Sequence, residues 1–289
     1  MKNKEISKIL IAGANSFCGL ALSKYFIKKK IHVIGTYHKK KPKIKSKYFE
    51  TKKIDLTKKI ILKENIKTIV HVASHHKIKD YLLNPRKKYQ ENILMTKNLI
   101  KLIDYNEIQN LIFFSTIDIN NYKFPLKKKF YIKSKKKSED LYNSSLLKKK
   151  IKKLLFLRLP AILGKNCNDH FLKNTLEKLK KNKTVNIWSQ NKLYDNFIHV
   201  EDLNNLIFFF ITNKIKSKKN IVECKVNYPM SVEKTINMLR NKLGSNSKIS
   251  INKFNQKKSF KFVKNPIKNI YKFDKAYNAL INFLKDCKA

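Results

Sequence analysis

Residues 8–19 read Lys-Ile-Leu-Ile-Ala-Gly-Ala-Asn-Ser-Phe-Cys-Gly. An apolar run this short, broken at once by glycine, predicts a buried strand over Lys8–Ala12. The helical spacing of Leu20, Ala21 and Phe26 predicts a helix over Phe17–Lys30. Gly13 permits the tight turn between the two. A small residue at Ser16 lets backbone N–H groups approach a phosphate, and Gly19 lets helix and strand pack closely. The helix N-terminus then presents a partial positive charge. The chain has only five glycines, so two of them flanking one junction carries weight. Gly13, Asn15, Ser16, Phe17, Cys18 and Gly19 are the expected seat of a dinucleotide pyrophosphate.

Outward from this turn, apolar runs alternate with helical patterns. Strands are expected at Ile31–Thr36, Lys52–Leu56, Thr68–Ala73, Ile108–Ser115 and Lys153–Leu159. Helices are expected at Pro85–Tyr105 and Lys129–Leu147. Such alternation predicts an α/β, doubly wound parallel-sheet Rossmann fold. After Pro160 the pattern loosens into a small C-terminal α/β lobe, with helices at Phe171–Lys181, Glu201–Thr212, Ser231–Leu243 and Phe273–Lys285. The expected division is 1–160 for the dinucleotide domain and 161–289 for a substrate lobe, partly interleaved with the sheet.

The second strand ends in Thr36-Tyr37-His38-Lys39-Lys40. An acid here would hold a ribose 2′-hydroxyl; cations beside Tyr37 and His38 suit a 2′-phosphate instead, so NADP is expected ahead of NAD. Asp55-Leu56 is read equally as an adenine contact and as a helix N-cap before Lys58–Glu64.

Composition excludes several functions. The formal charge is +46, but of 66 basic residues only Arg86, Arg158 and Arg240 are arginine. Specific nucleic-acid readers rely on arginine forks. Lysine spread evenly with Asn and Ile follows from A/T-rich codons, so no specific nucleic-acid partner is expected. No apolar run is long enough for a membrane span. Cys18, Cys167, Cys224 and Cys287 form no CxxC pair, which predicts no metal site and a reducing, cytoplasmic setting.

Tyr131-Ile132-Lys133-Ser134-Lys135 places a phenol and an ammonium one helical turn apart. The cation can hold a ribose and favour the phenolate; the phenol can exchange a proton with an alcohol or carbonyl. Tyr25/Lys29, Tyr37/Lys41, Tyr48/Lys52 and Tyr271/Lys275 share the spacing, as expected in a lysine-rich chain. Only Tyr131 follows a buried strand ending in Ser115-Thr116 and opens the next helix.

These residues resemble the extended short-chain dehydrogenase/reductase family of nucleotide-sugar epimerases, dehydratases and reductases. The resemblance runs from about Ile9 to Leu206. It rests on ordered blocks: the glycine turn, Asp55-Leu56, His71 to Ser74, Asn92, Phe114-Ser115-Thr116, Tyr131 to Lys135, Arg158-Leu159-Pro160 with Gly164, and Asn196 to Leu203. It implies Thr116 as the substrate-orienting hydroxyl, Tyr131 as acid/base and Lys135 as its electrostatic partner. It adds Ala73 and Asn92 to the cofactor site, and implies a homodimer through the helices of Asn92 and Tyr131.

The departures matter. Ser16 replaces a glycine, and Asn120-Asn121 replaces the usual Tyr-Gly. Ala161 and Asp195 stand where an asparagine and an arginine grip a sugar nucleotide, a loss that Lys165 or Lys192 would have to offset. Ile117-Asp118 replaces the acid pair of dehydratases, which sets 4,6-dehydration aside. The expected activity is epimerisation or reduction of a nucleotide sugar. The alternatives are reduction of another small carbonyl substrate, and non-catalytic dinucleotide binding.

Overall fold

The computed structural model describes residues 8–104, 107–120, 128–148, 150–188, 191–252 and 271–288. Its first half is β1 (Ile9–Ala12), α1 (Phe17–Lys28), β2 (Val33–Tyr37), β3 (Phe49–Lys53), β4 (Thr68–His71), α2 (Ile78–Leu83), α3 (Pro85–Asp104), β5 (Ile108–Thr116), a 3-10 turn (Ile117–Asn120), α4 (Lys129–Leu147) and β6 (Ile151–Leu159). Next come β7 (Ala161–Leu163), α5 (Phe171–Lys180), β8 (Val185–Trp188), β9 (Leu193–Tyr194), β10 (Phe197–His199) and α6 (Val200–Thr212). The chain continues through β11 (Lys219–Glu223), β12 (Met230–Ser231), α7 (Val232–Leu243), β13 (Ile249–Asn252) and α8 (Ala276–Lys288).

Seven strands form one parallel sheet in the order β11-β6-β5-β4-β1-β2-β3. All four side chains of β1 are buried, as a central parallel strand requires. The order reverses between β1 and β4, and ligands of open parallel sheets bind beyond the strand ends at such a point. The core includes Leu10, Ile34, Ile69, Leu99, Leu111, Phe113 and Phe156. α3 and α4 meet partly through buried hydroxyls: Thr96 and Ser138 share a 2.8 Å hydrogen bond.

The chain divides into two compact units. One takes the residues up to Arg158 together with Asn204–Glu223, so β11 completes the sheet from far along the sequence. The other takes Leu159–Leu203 with 224–252 and 271–288. In this second unit β7 pairs with β10, β8 with β13 and β9 with β12. Asp286 on α8 accepts hydrogen bonds from His199 Nε2 (3.1 Å) and the Lys165 N–H (3.0 Å).

The third strand differs from expectation. It spans Phe49–Lys53, not Lys52–Leu56, because Phe49 must meet Val33 and Gly35 on β2. Asp55-Leu56 therefore lies past the strand end. No helix forms over 58–64. Asp55 instead closes a turn by accepting from the Thr57 N–H (2.9 Å) and hydroxyl (2.7 Å).

Three of the five glycines converge on the turn after β1. Gly13 adopts φ +97°, and a Cβ there would lie 2.8 Å from the Ala73 nitrogen. A Cβ on Gly19 would lie 2.3 Å from the Gly13 carbonyl oxygen, and one on Gly35 would lie 2.7 Å from the Ala14 Cβ. Gly35→Ala should therefore lower unfolding free energy by about 1–3 kcal/mol, the usual cost of overpacking. It should also weaken dinucleotide binding by displacing Ala14. Urea titration and a fluorescence binding titration would measure the two effects.

Candidate active site

The turn is closed by its own side chain. The Ser16 hydroxyl donates to the Gly13 carbonyl (2.9 Å) and accepts from the Gly19 N–H (3.1 Å), capping α1. The residue in the middle-glycine position thus braces the turn. Thr36 on β2, also buried, accepts the Gly13 N–H at 3.0 Å. Asn15, Phe17 and Cys18 are half-buried around the first turn of α1. Backbone beside a helix N-terminus fits an approaching diphosphate.

At the end of β2, Tyr37 is half-buried; the next residue, His38, is exposed, with its Nε2 3.8 Å from Asp55 Oδ2. The Thr57 hydroxyl bound to Asp55 holds that carboxyl below its ordinary range, aided by the Thr57 N–H and His38. Leu56 is buried, and its carbonyl accepts from Asn98 Nδ2 (3.0 Å).

Past β4, Ala73 is tied to the turn, its N–H donating to Ala12 (2.8 Å). His71 is buried, with Nδ1 2.8 Å from the Tyr142 hydroxyl. Burial, with Lys135 adding to it, pushes His71 down to about 3, so its ring stays neutral. Asn92 is fully engaged by protein. Its Oδ1 accepts the His75 N–H (2.8 Å), while Nδ2 faces the His75 carbonyl, the Tyr81 hydroxyl (2.7 Å) and Ser134 Oγ (3.1 Å). It ties the segment after β4 to α3 and α4.

Thr116 is buried at the end of β5. Tyr131 and Lys135 are one turn apart on α4, as their spacing implied. Lys135 is 4% exposed. Its Nζ donates to the Phe114 carbonyl (2.7 Å) and lies 4.8 Å from the Phe113 ring centre and 5.9 Å from that of Tyr131. Burial pulls the ammonium down to about 7, and Glu139 resists that fall. Burial likewise raises the Tyr131 phenol, with Asp118 and Tyr81 adding to the rise and a hydrogen bond with Thr116 opposing it. The Tyr81 ring packs edge-on against Tyr131 at 6.0 Å.

Sequence reasoning missed Gly35, Thr36 and Tyr81. A third glycine in a chain of five was a usable signal. Tyr81 had none, because α2 shows no pattern of its own. Asn121 and the rest of 121–127 lie outside the described residues. In the second unit Asp195 pairs with Lys225 (3.5 Å). Among the described residues no three metal-ligating side chains cluster, and no helix is long and apolar enough to cross a membrane.

The family model described as "NAD dependent epimerase/dehydratase family" matches residues 9–224. The UDP-N-acetylglucosamine 4-epimerase of Methanobrevibacter ruminantium M1, in complex with UDP-N-acetylmuramic acid, superposes with TM-score 0.78 at 16% identity, covering 98% of this chain and 99% of that one. MoeE5 in complex with UDP-glucuronic acid and NAD gives 0.78 at 15%, covering 97% and 99%. The UDP-glucose 4-epimerase of Thermotoga maritima with UDP-glucose gives 0.76 at 14%, covering 97% and 98%. At these identities the likeness is one of fold. No curated protein matches the chain.

The lowered Lys135 has a thermodynamic consequence. Its ordinary value is 10.5 and its folded value about 7. Between those values the unfolded chain holds the extra proton, so stability rises with pH across that window. Lys135→Met should melt a few degrees higher than the parent at pH 7, and the gap should narrow as pH approaches the ordinary lysine value. Thermal scans from pH 7 to 10 would check this.

Proposed function

We propose that this chain, which belongs to the NAD dependent epimerase/dehydratase family, is an NAD(P)-dependent epimerase or reductase of a nucleotide sugar with Tyr131 as acid/base. One observation carries the reading: Lys135 is held out of water against Phe114, on the helix that opens with Tyr131 and beside the strand that ends in Thr116. A surface Tyr–Lys pair would need no such burial.

The phosphate turn and α1 would hold the pyrophosphate, Tyr37 and His38 the adenosine ribose, and Asp55 and Leu56 the adenine. When bound, the nicotinamide supplies or accepts a hydride. Lys135, with one donor spent on Phe114, offers its others to the nicotinamide ribose. The Thr116 hydroxyl positions the reacting sugar oxygen. The Tyr131 phenol gives a proton to that oxygen in one direction, and its phenolate takes one from it in the other. Burial opposes phenolate formation, so positive charge at Lys135 is what makes proton removal feasible.

A second reading, reduction of a different small carbonyl compound, is favoured by Ala161 and by Asp195, which draws Lys225 to itself. Oxidation of NADPH on addition of a 4-keto nucleotide sugar, against a panel of simple ketones, separates the two.

Tyr131→Phe should lower kcat by about 10²–10⁴-fold, the usual worth of a general acid/base, with dinucleotide affinity nearly unchanged. Full activity in that variant would sink the assignment. The lysines at 39–41 should make NADPH bind more tightly than NADH, and parallel dissociation constants by titration would test this.

A further inference from the structure

Outside the residues that meet cofactor or substrate, the first unit contains a buried ionic cluster. Arg158, at the end of β6, is 6% exposed; Glu139 on α4 and Glu223 at the end of β11 are buried with it. The guanidinium reaches Glu139 twice, Nε to Oε1 at 3.2 Å and Nη2 to Oε2 at 2.9 Å. Its Nη1 donates to Asn120 Oδ1 at 2.8 Å and lies 3.9 Å from Glu223. Asn120 Nδ2 donates to Glu223. The Ser115 hydroxyl completes the set by donating to Glu139 Oε1 at 2.6 Å.

The positions of these partners are informative. Ser115 immediately precedes Thr116. Asn120 ends the 3-10 turn that starts right after Thr116, so the strand end carrying Thr116 is pinned on both sides. Glu139 sits one turn beyond Lys135 on the same helix. Lys135 to the Phe114 carbonyl and Glu139 to Ser115 are thus two successive ties between α4 and β5. They fix both the rotation of the helix and its height along the strand.

We propose that Arg158 and Glu139 are positioning residues, whose forked pair sets Lys135 and Thr116 in register for proton transfer at Tyr131. Neither side chain touches the reacting atoms; each acts through Ser115, Asn120 and the turn of α4 that bears Lys135. A guanidinium suits the site because its three nitrogens donate at once to Glu139 and Asn120, and an ammonium cannot fork in that way. Glu139 has a second role: it is the carboxylate that opposes the fall in Lys135 caused by burial. Among the described residues, the other ionisable groups around Lys135 are His71 at the end of β4, His76 in the segment that follows, and Tyr131.

The catalytic consequence rests on the proposed function, so the test has a readout that does not. The Lys135 ammonium is titrated by NMR in the parent, Arg158→Lys and Glu139→Gln proteins, with the signal assigned by its loss in Lys135→Arg. Glu139→Gln should move the Lys135 midpoint to lower pH, whatever the substrate. Arg158→Lys, which keeps the charge but loses the fork, should leave that midpoint near the parent value. Its kcat should fall by about 10²-fold, the effect of a displacement near 1 Å, with KM and NADPH affinity retained. An unmoved Lys135 midpoint in Glu139→Gln, or Arg158→Lys activity within about twofold of the parent, overturns the proposal. Loss of cooperative melting in both variants overturns it too, by reducing the cluster to a folding element. A parent protein inactive on every nucleotide sugar, with the Lys135 shift intact, condemns the functional reading alone.

Discussion

The structure is organised around one ammonium kept out of water. Lysine is the most abundant means this chain has of staying wet. Yet among the described residues Lys135 is the one lysine that is buried. An isolated buried charge costs far more than a single hydrogen bond returns. The surroundings are arranged accordingly. A backbone carbonyl takes one proton, the face of Phe113 lies below the charge, and Glu139 stands a turn away. Neutral His71 fills the space beyond without adding a second cation.

That arrangement determines what the parallel sheet is for. Its strand ends bring Gly13, Ala73 and Thr116 to one edge, and α4 lays Lys135 across β5. The glycines are distributed to the same end. Gly35 leaves room on β2 for the Ala14 side chain, and Gly13 meets two demands, a positive φ and an Ala73 that leaves no room for a side chain. The turn is therefore clamped from β2 and from the segment after β4 before any ligand arrives. That preorganisation is what the proposed phosphate site, built from backbone, needs.

Local signals in the sequence revealed much of this. The turn at 13–19, the α3 and α4 helices and the Thr116/Tyr131/Lys135 order were readable because each depends on near neighbours. What escaped depends on distant partners. β11 joins the sheet beside β6 from more than 60 residues away, and nothing in Lys219–Glu223 alone says which strand it will meet. β3 was misplaced because its register is set by Phe49 packing against Gly35, not by an apolar run of its own. The family resemblance places Asn92 in the cofactor site. Only the fold shows its amide spent on the segment at His75.

The composition bears on how the buried cluster should be understood. A chain with 63 lysines and three arginines uses lysine for nearly all of its positive charge. One of the three arginines is buried and forked between Glu139 and Asn120. A buried ion pair is weak grounds for stability, since well-packed apolar groups of similar volume often do as well. Stability alone therefore does not account for a guanidinium at Arg158. Geometry does. The fork fixes angles as well as distances, and it joins α4, which carries Lys135, to the 3-10 turn that follows Thr116. An apolar plug could fill the same volume, but it would leave α4 free to slide along β5 by fractions of an ångström. That freedom matters little to folding and a great deal to the proton transfer proposed at Tyr131, whose partners must lie within hydrogen-bond reach.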